Sequence, residues 1–153
     1  MGAELQLSSE NTVYIDATNQ IAGRLSSRIA KLILTGKKVI VVNAEKSLIS
    51  GSRGSVMAAW MKRLELGSKV NPIYGPIHPR RPDNILRRMV RGMVPRKKSK
   101  GAMAMRRLRV YIGVPEEMKE RKMVQFEDTT ATRPVPVYVT MAELSRNLGW
   151  RGD

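Results

Sequence analysis

The chain has 153 residues, 42% of them hydrophobic, which suits one domain with its own core. Its 28 Lys and Arg against 13 acids give a net charge of +15, with no cysteine and a single histidine, His78. Disulfides, thiolate metal sites and multi-histidine metal sites are thereby excluded. No apolar run nears the ~20 residues of a membrane span, and no signal peptide is expected at the N-terminus.

Residues 1–11 are polar, lack periodicity and read as a tail. Thr12 to Asp16 is β-branched and aromatic, hence a strand, and residues 16–19 supply turn and capping groups. Ile21, Leu25, Ile29 and Leu32–Ile33 recur at helical spacing, and Gly36 stops that helix. Lys38 to Asn43 is a continuous apolar run, which suits a strand buried on both faces. Strand, helix, strand with short joints is a right-handed βαβ unit. Leu48–Ile49 gives a thin signal for another strand, residues 51–55 a turn, and Val56 to Leu66 a second helix. Gly67 to Pro79 holds three prolines and two glycines and reads as an irregular loop.

Pro82 suits the first position of a third helix, with Asp83 complementing its dipole and Pro95 ending it. Ile85, Leu86, Met89, Val90 and Met93 form its apolar face; Arg87, Arg88 and Arg91 form the other. Residues 96–101 read as a basic loop, free of the core and disordered without a partner. Ala102 to Arg107 reads as a short helix and Leu108 to Val114 as the last clear strand. Beyond Pro115 there is little core material until Val135 to Val139. Thr140 and Glu143 then match a capping box, with Val139 and Leu144 as a hydrophobic staple for a short C-terminal helix.

The charge is not spread evenly. Residues 80–109 hold twelve Lys or Arg and one acid, Asp83, a net +11; the other 123 residues carry only +4. A solvated helix face normally mixes signs at i±4, whereas here no acid follows Asp83. Such a field attracts a polyanion, above all nucleic acid, and guanidinium groups bind phosphate oxygens in pairs. Aromatics are scarce, with Tyr74 before the segment and Tyr111 after it, so backbone and shape recognition is expected over base stacking. Asp16 and Glu45 follow predicted strands, where α/β enzymes keep catalytic groups, but turn formation explains both. No nucleophile elbow, Walker loop or dinucleotide fingerprint occurs, and the Gly51–Ser55 turn is a plain N-cap with generic anion-binding capacity.

Residues 14–18 (YIDAT) and 22–25 (AGRL) open the pattern, and residues 41–46 (VVNAEK) with Ser50–Gly51 continue it. Then come Gly75–Pro76, residues 80–82 (RRP), 90–95 (VRGMVP) and 106–115 (RRLRVYIGVP). In this order the motifs resemble ribosomal protein L-thirteen of the large subunit, in its archaeal and eukaryotic form; residues 138–140, 143–144 and 148–150 look like the archaeal branch. The resemblance covers residues 12–150. It implies a three-layer α/β/α fold with a four-stranded parallel sheet of order 3-2-1-4, plus a C-terminal extension ending in a short helix. It also implies no enzymatic role, no cofactor and no small-molecule substrate. The implied partners are large-subunit ribosomal RNA and neighbouring ribosomal proteins, in the cytoplasmic ribosome, with a part in early subunit assembly. Residues 12–114 would be the RNA-binding domain and 115–153 an extension docked on it.

The candidate RNA-binding residues are Arg24 in the first βα turn; Arg80, Arg81, Arg87, Arg88 and Arg91; Arg96, Lys97, Lys98 and Lys100; and Arg106, Arg107 and Arg109. Catalytic and metal-ligating residues are expected to be none. Two other classes remain open on the residues alone: a basic DNA-binding chromatin protein and, least favoured, an α/β nucleotide-handling enzyme.

Overall fold

A computed structural model describes residues 11–132 and 137–152. Strand β1 (Thr12–Asp16) alternates half-buried and buried positions, with Val13 and Ile15 facing the core. Helix α1 (Ala22–Leu34) lays Leu25, Ile29 and Ile33, all fully buried, against them. Gly36 reverses the chain at φ +100°, a left-handed conformation open to glycine. There its N–H and that of Lys37 bond to the carbonyls of Ile33 and Leu32. β2 (Lys38–Val42) then pairs parallel with β1, Thr12 opposite Lys38 through Asp16 opposite Val42. The expected βαβ unit is present.

The rest of the sheet departs from expectation. β3 (Leu48–Ser50) is a strand, but it pairs antiparallel with β5 (Tyr138–Thr140) in a separate two-stranded sheet. The parallel sheet has three strands, in the order β1-β2-β4, where β4 is Leu108–Val110. Beside β1 the fourth place holds only a one-residue parallel bridge at Val124, whose N–H donates to Tyr14 O and whose carbonyl accepts from Asp16 N. The four-stranded parallel sheet of order 3-2-1-4 is therefore corrected to three strands and a bridge. Phe126, two residues on, still faces the core, but the chain then turns into the short 3-10 helix Glu127–Thr129, so the segment adds one rung and leaves. β4 is also shorter than the expected 108–114. Tyr111 still donates to Val41 O, but Gly113 turns at φ +66° and ends the ladder.

β2 is not buried on both faces. Register places Thr12, Tyr14, Lys38, Ile40 and Arg109 together on the side opposite Val13, Ile15, Val39, Val41 and Leu108. α1 packs beside α3 (Pro82–Gly92) and α4 (Ser99–Arg106) over the apolar side. The Lys38 and Arg109 side carries charge that cannot be buried unpaired: both residues are exposed, and Tyr14 and Ile40 between them are half-buried.

α2 (Arg53–Glu65) starts at Ser52, whose Oγ accepts from Ser55 N, and packs near β5. α5 (Met141–Asn147) begins with Thr140 Oγ1 accepting from Glu143 N at 3.2 Å. Val139, Met141, Leu144 and Leu148 are buried in the main core. Half of the expected capping box forms: Glu143 Oε1 pairs with Arg53 at 2.6 Å. Residues 1–10 of the predicted tail, and residues 133–136 of the Val135 to Val139 segment, lie outside the described residues.

Candidate nucleic-acid interface

α3 is the rigid part of the basic region. Ile85, Leu86 and Val90 are fully buried, whereas Arg87, Arg88 and Arg91 are exposed, so core packing fixes the direction in which the arginines project. Met93, expected on the apolar face, caps the helix and is 45% exposed.

The expected 96–101 loop is shorter and more closely bound than the sequence suggests. Arg96 N bonds to Val94 O and Lys98 N to Pro95 O, making a tight turn; α4 then begins at Ser99. Gly101, in the first turn of α4, sits so close to this turn that a Cβ there would lie 2.3 Å from Pro95 O. The absence of a side chain lets α4 pack on the chain leaving α3. Lys100 is therefore on a helix, with Lys97 and Lys98 at its entrance.

Four neighbouring clefts share these cations. The largest, about 680 Å³, is lined by Arg87, Arg88, Arg91 and Arg96, with Ile77, Pro79, Asn84, Ala102 and Met105. A second, about 520 Å³, shares Arg88, Arg91 and Arg96 and adds Lys97 and Lys98. A third, about 210 Å³, joins Arg87 to Arg109 beside Asp83 and Tyr111. The fourth, about 570 Å³, runs from Arg109, Arg106 and Arg107 to Lys38 and Tyr14 on the side of the sheet opposite Val13 and Ile15. Because each cleft shares a cation with another, they form one belt across α3, α4, β4 and β2.

Not all thirteen candidates join this belt. Arg24 is exposed in the first turn of α1, outside the four clefts. Arg80 lies over Gly149, its Nη1 3.2 Å from where a Cβ would stand, and Arg81 Nε pairs with Asp83 Oδ1 at 3.3 Å. Arg107 is divided between two tasks: it lines the fourth cleft and donates to Ile33 O at the end of α1. Among the described residues no acid lies within ion-pairing distance of Arg87, Arg88, Arg91, Arg96, Lys97, Lys98, Lys100, Arg106 or Arg109. Sequence reasoning missed Lys38, which only strand pairing brings into the same cleft as Arg109, and the apolar lining of the largest cleft. Exposed Ile77, stranded in a Pro-rich loop, was the one available signal.

The two carboxylates at strand ends have structural partners. Asp16 Oδ1 accepts from Thr18 N, Thr18 Oγ1 and Asn43 Nδ2, and Oδ2 accepts from Gln125 Nε2. Burial pushes its carboxyl up, but the bonds from Asn43, Thr18 and Gln125 outweigh that and hold it below the usual range. Glu45 Oε2 accepts from Gly113 N at 3.0 Å. His78 Nε2–H donates to Leu66 O at 2.7 Å and closes the 66–78 loop. No group of three or more potential metal ligands occurs among the described residues, and no described helix is long and apolar enough to cross a membrane.

The fold and belt define a basic α/β protein whose cations are gathered along connected clefts. Comparison with known proteins gives the family: the profile of "Ribosomal protein L13" matches residues 10–117. "Large ribosomal subunit protein uL13" of Sulfolobus acidocaldarius is 47% identical over 143 residues, covering 93% of this chain and 96% of that protein. The protein of the same description from Archaeoglobus fulgidus is 47% identical, covering 94% and 91%, and that from Methanococcoides burtonii 43%, covering 88% and 96%. The chain belongs to the ribosomal protein L13 family. It is accordingly a ribosomal protein, not an enzyme.

Proposed function

We propose that the chain is a structural constituent of the large ribosomal subunit in the cytoplasm, binding ribosomal RNA and supporting early subunit assembly. Family membership supports the role. The observation that carries the mechanism is the belt of cations without ion-pair partners. Several guanidinium and ammonium groups held on core-anchored elements neutralise converging RNA backbones, so that RNA helices approach one another. Uncompensated like charge destabilises the free protein and favours the bound state.

In this reading the belt residues contact phosphate, together with Lys100. Arg24, Arg80 and Arg81 make peripheral contacts. Residues 12–114 act as the RNA-binding body. Residues 115–153 are an extension of the same domain, supported by buried Gln20 bonding to Thr130 and by Leu144 and Leu148 in the shared core. Neighbouring ribosomal proteins complete the surroundings, and no cofactor takes part. Sucrose-gradient sedimentation of cell extract tests the role. The native protein should travel with large subunits at moderate salt, and excess duplex DNA should not displace it. Recovery at the top of the gradient, or displacement by DNA, would contradict it.

A further inference from the structure

The largest cleft is chemically mixed in a way that phosphate binding does not explain. Four guanidinium groups line it, yet so do Ile77, which is 75% exposed, Pro79, Ala102 and Met105. Water-exposed apolar surface is unfavourable, and a phosphate chain cannot cover it. A nucleobase can: its ring faces pack on aliphatic groups and stack on guanidinium planes. Asn84, also in the lining, carries an amide that both donates and accepts toward a base edge. The volume of about 680 Å³ falls within the ~300–1,000 Å³ range of clefts that enclose small ligands.

Building on the RNA-binding reading, we infer that this cleft between α3 and α4 receives an unpaired, extruded nucleotide of the bound RNA, base against Ile77 and Met105, backbone on Arg88, Arg91 and Arg96. Paired bases do not reach it, because an A-form helix keeps them stacked within a deep, narrow major groove. The occupant belongs to RNA for two reasons: the lining carries four cations and no acid, and its arginines continue into the rest of the belt. The scarcity of aromatics argues against a stacking platform for long single strands. It leaves room for one base held by guanidinium and aliphatic surfaces.

The test uses two RNA hairpins identical except for a single bulged nucleotide, titrated with the full chain and with Ile77→Ala and Ile77→Asp. Ile77 is exposed, so neither change threatens folding. The wild type should prefer the bulged hairpin by about tenfold, the scale of one stacked base. Ile77→Ala should erase most of that preference while keeping the affinity for the paired hairpin and the salt dependence. Equal binding of both hairpins by the wild type, or a preference that survives Ile77→Asp, overturns the inference and leaves the RNA-binding role standing. If the hairpins are not distinguished but Ile77→Asp blocks incorporation into reconstituted subunits, the cleft seats a protein segment instead. Failure to bind either hairpin would overturn both.

Discussion

Asp16 shows how one residue at a strand end joins distant parts of this chain. Its carboxylate gathers donors from Thr18, from Asn43 after β2 and from Gln125 far along the sequence. Asn43 is held at φ 54°, a conformation that asparagine tolerates better than most residues. Replacement Asp16→Asn should destabilise the protein by about 1–3 kcal/mol near neutral pH, the range for removing charged hydrogen bonds, as read by urea denaturation. The carboxyl is depressed in the folded state, so its contribution is present above the unfolded value. It is lost as pH falls through the folded one. The gap between wild type and variant should therefore narrow below about pH 4; a gap that widens there would contradict the assignment. The sequence placed Asp16 at a turn, but its partners Asn43 and Gln125 lie 27 and 109 residues away, beyond any local pattern.

Among the elements, those with strong periodicity were legible from sequence. α1, β1 and the amphipathic α3 stand where the spacing put them, because their buried faces are continuous stripes. The joints were not legible. β3 carries too few residues to declare its partner, and its antiparallel pairing to β5 depends on a chain return ninety residues later. The basic turn and the start of α4 were misplaced because Lys and Gly at 97–101 look like loop, whereas Gly101 is there for close packing on Pro95. Gly101→Ala should force α4 away from the turn. We expect a loss of about 1–3 kcal/mol in thermal denaturation, typical of overpacking, together with weaker RNA binding. Gly54→Ala in α2, with no atom within 4 Å of the new Cβ, is the control. It should be neutral or slightly stabilising. Equal stability of the two variants would show that the close approach does not hold α4.

Across the molecule, the +11 carried by residues 80–109 is divided by the fold. Arg80 lies over Gly149, Arg81 pairs with Asp83, Arg107 also holds the end of α1, and the other cations except Lys100 line a belt that also takes in Lys38. The sequence showed how much charge there is and which helix would hold it outward. It did not show that β4 would bring Arg109 beside β2, on the side of the sheet that also carries Lys38. This belt is proposed to meet RNA through its phosphates. The decisive measurement is ribosomal RNA affinity against salt for the wild type and for Arg87→Glu/Arg88→Glu/Arg91→Glu. The variant should fold as the wild type does and bind more weakly. Its slope of log affinity against log salt should be shallower by about 2–3, near one for each phosphate no longer neutralised. Equal affinity and an equal slope would contradict it.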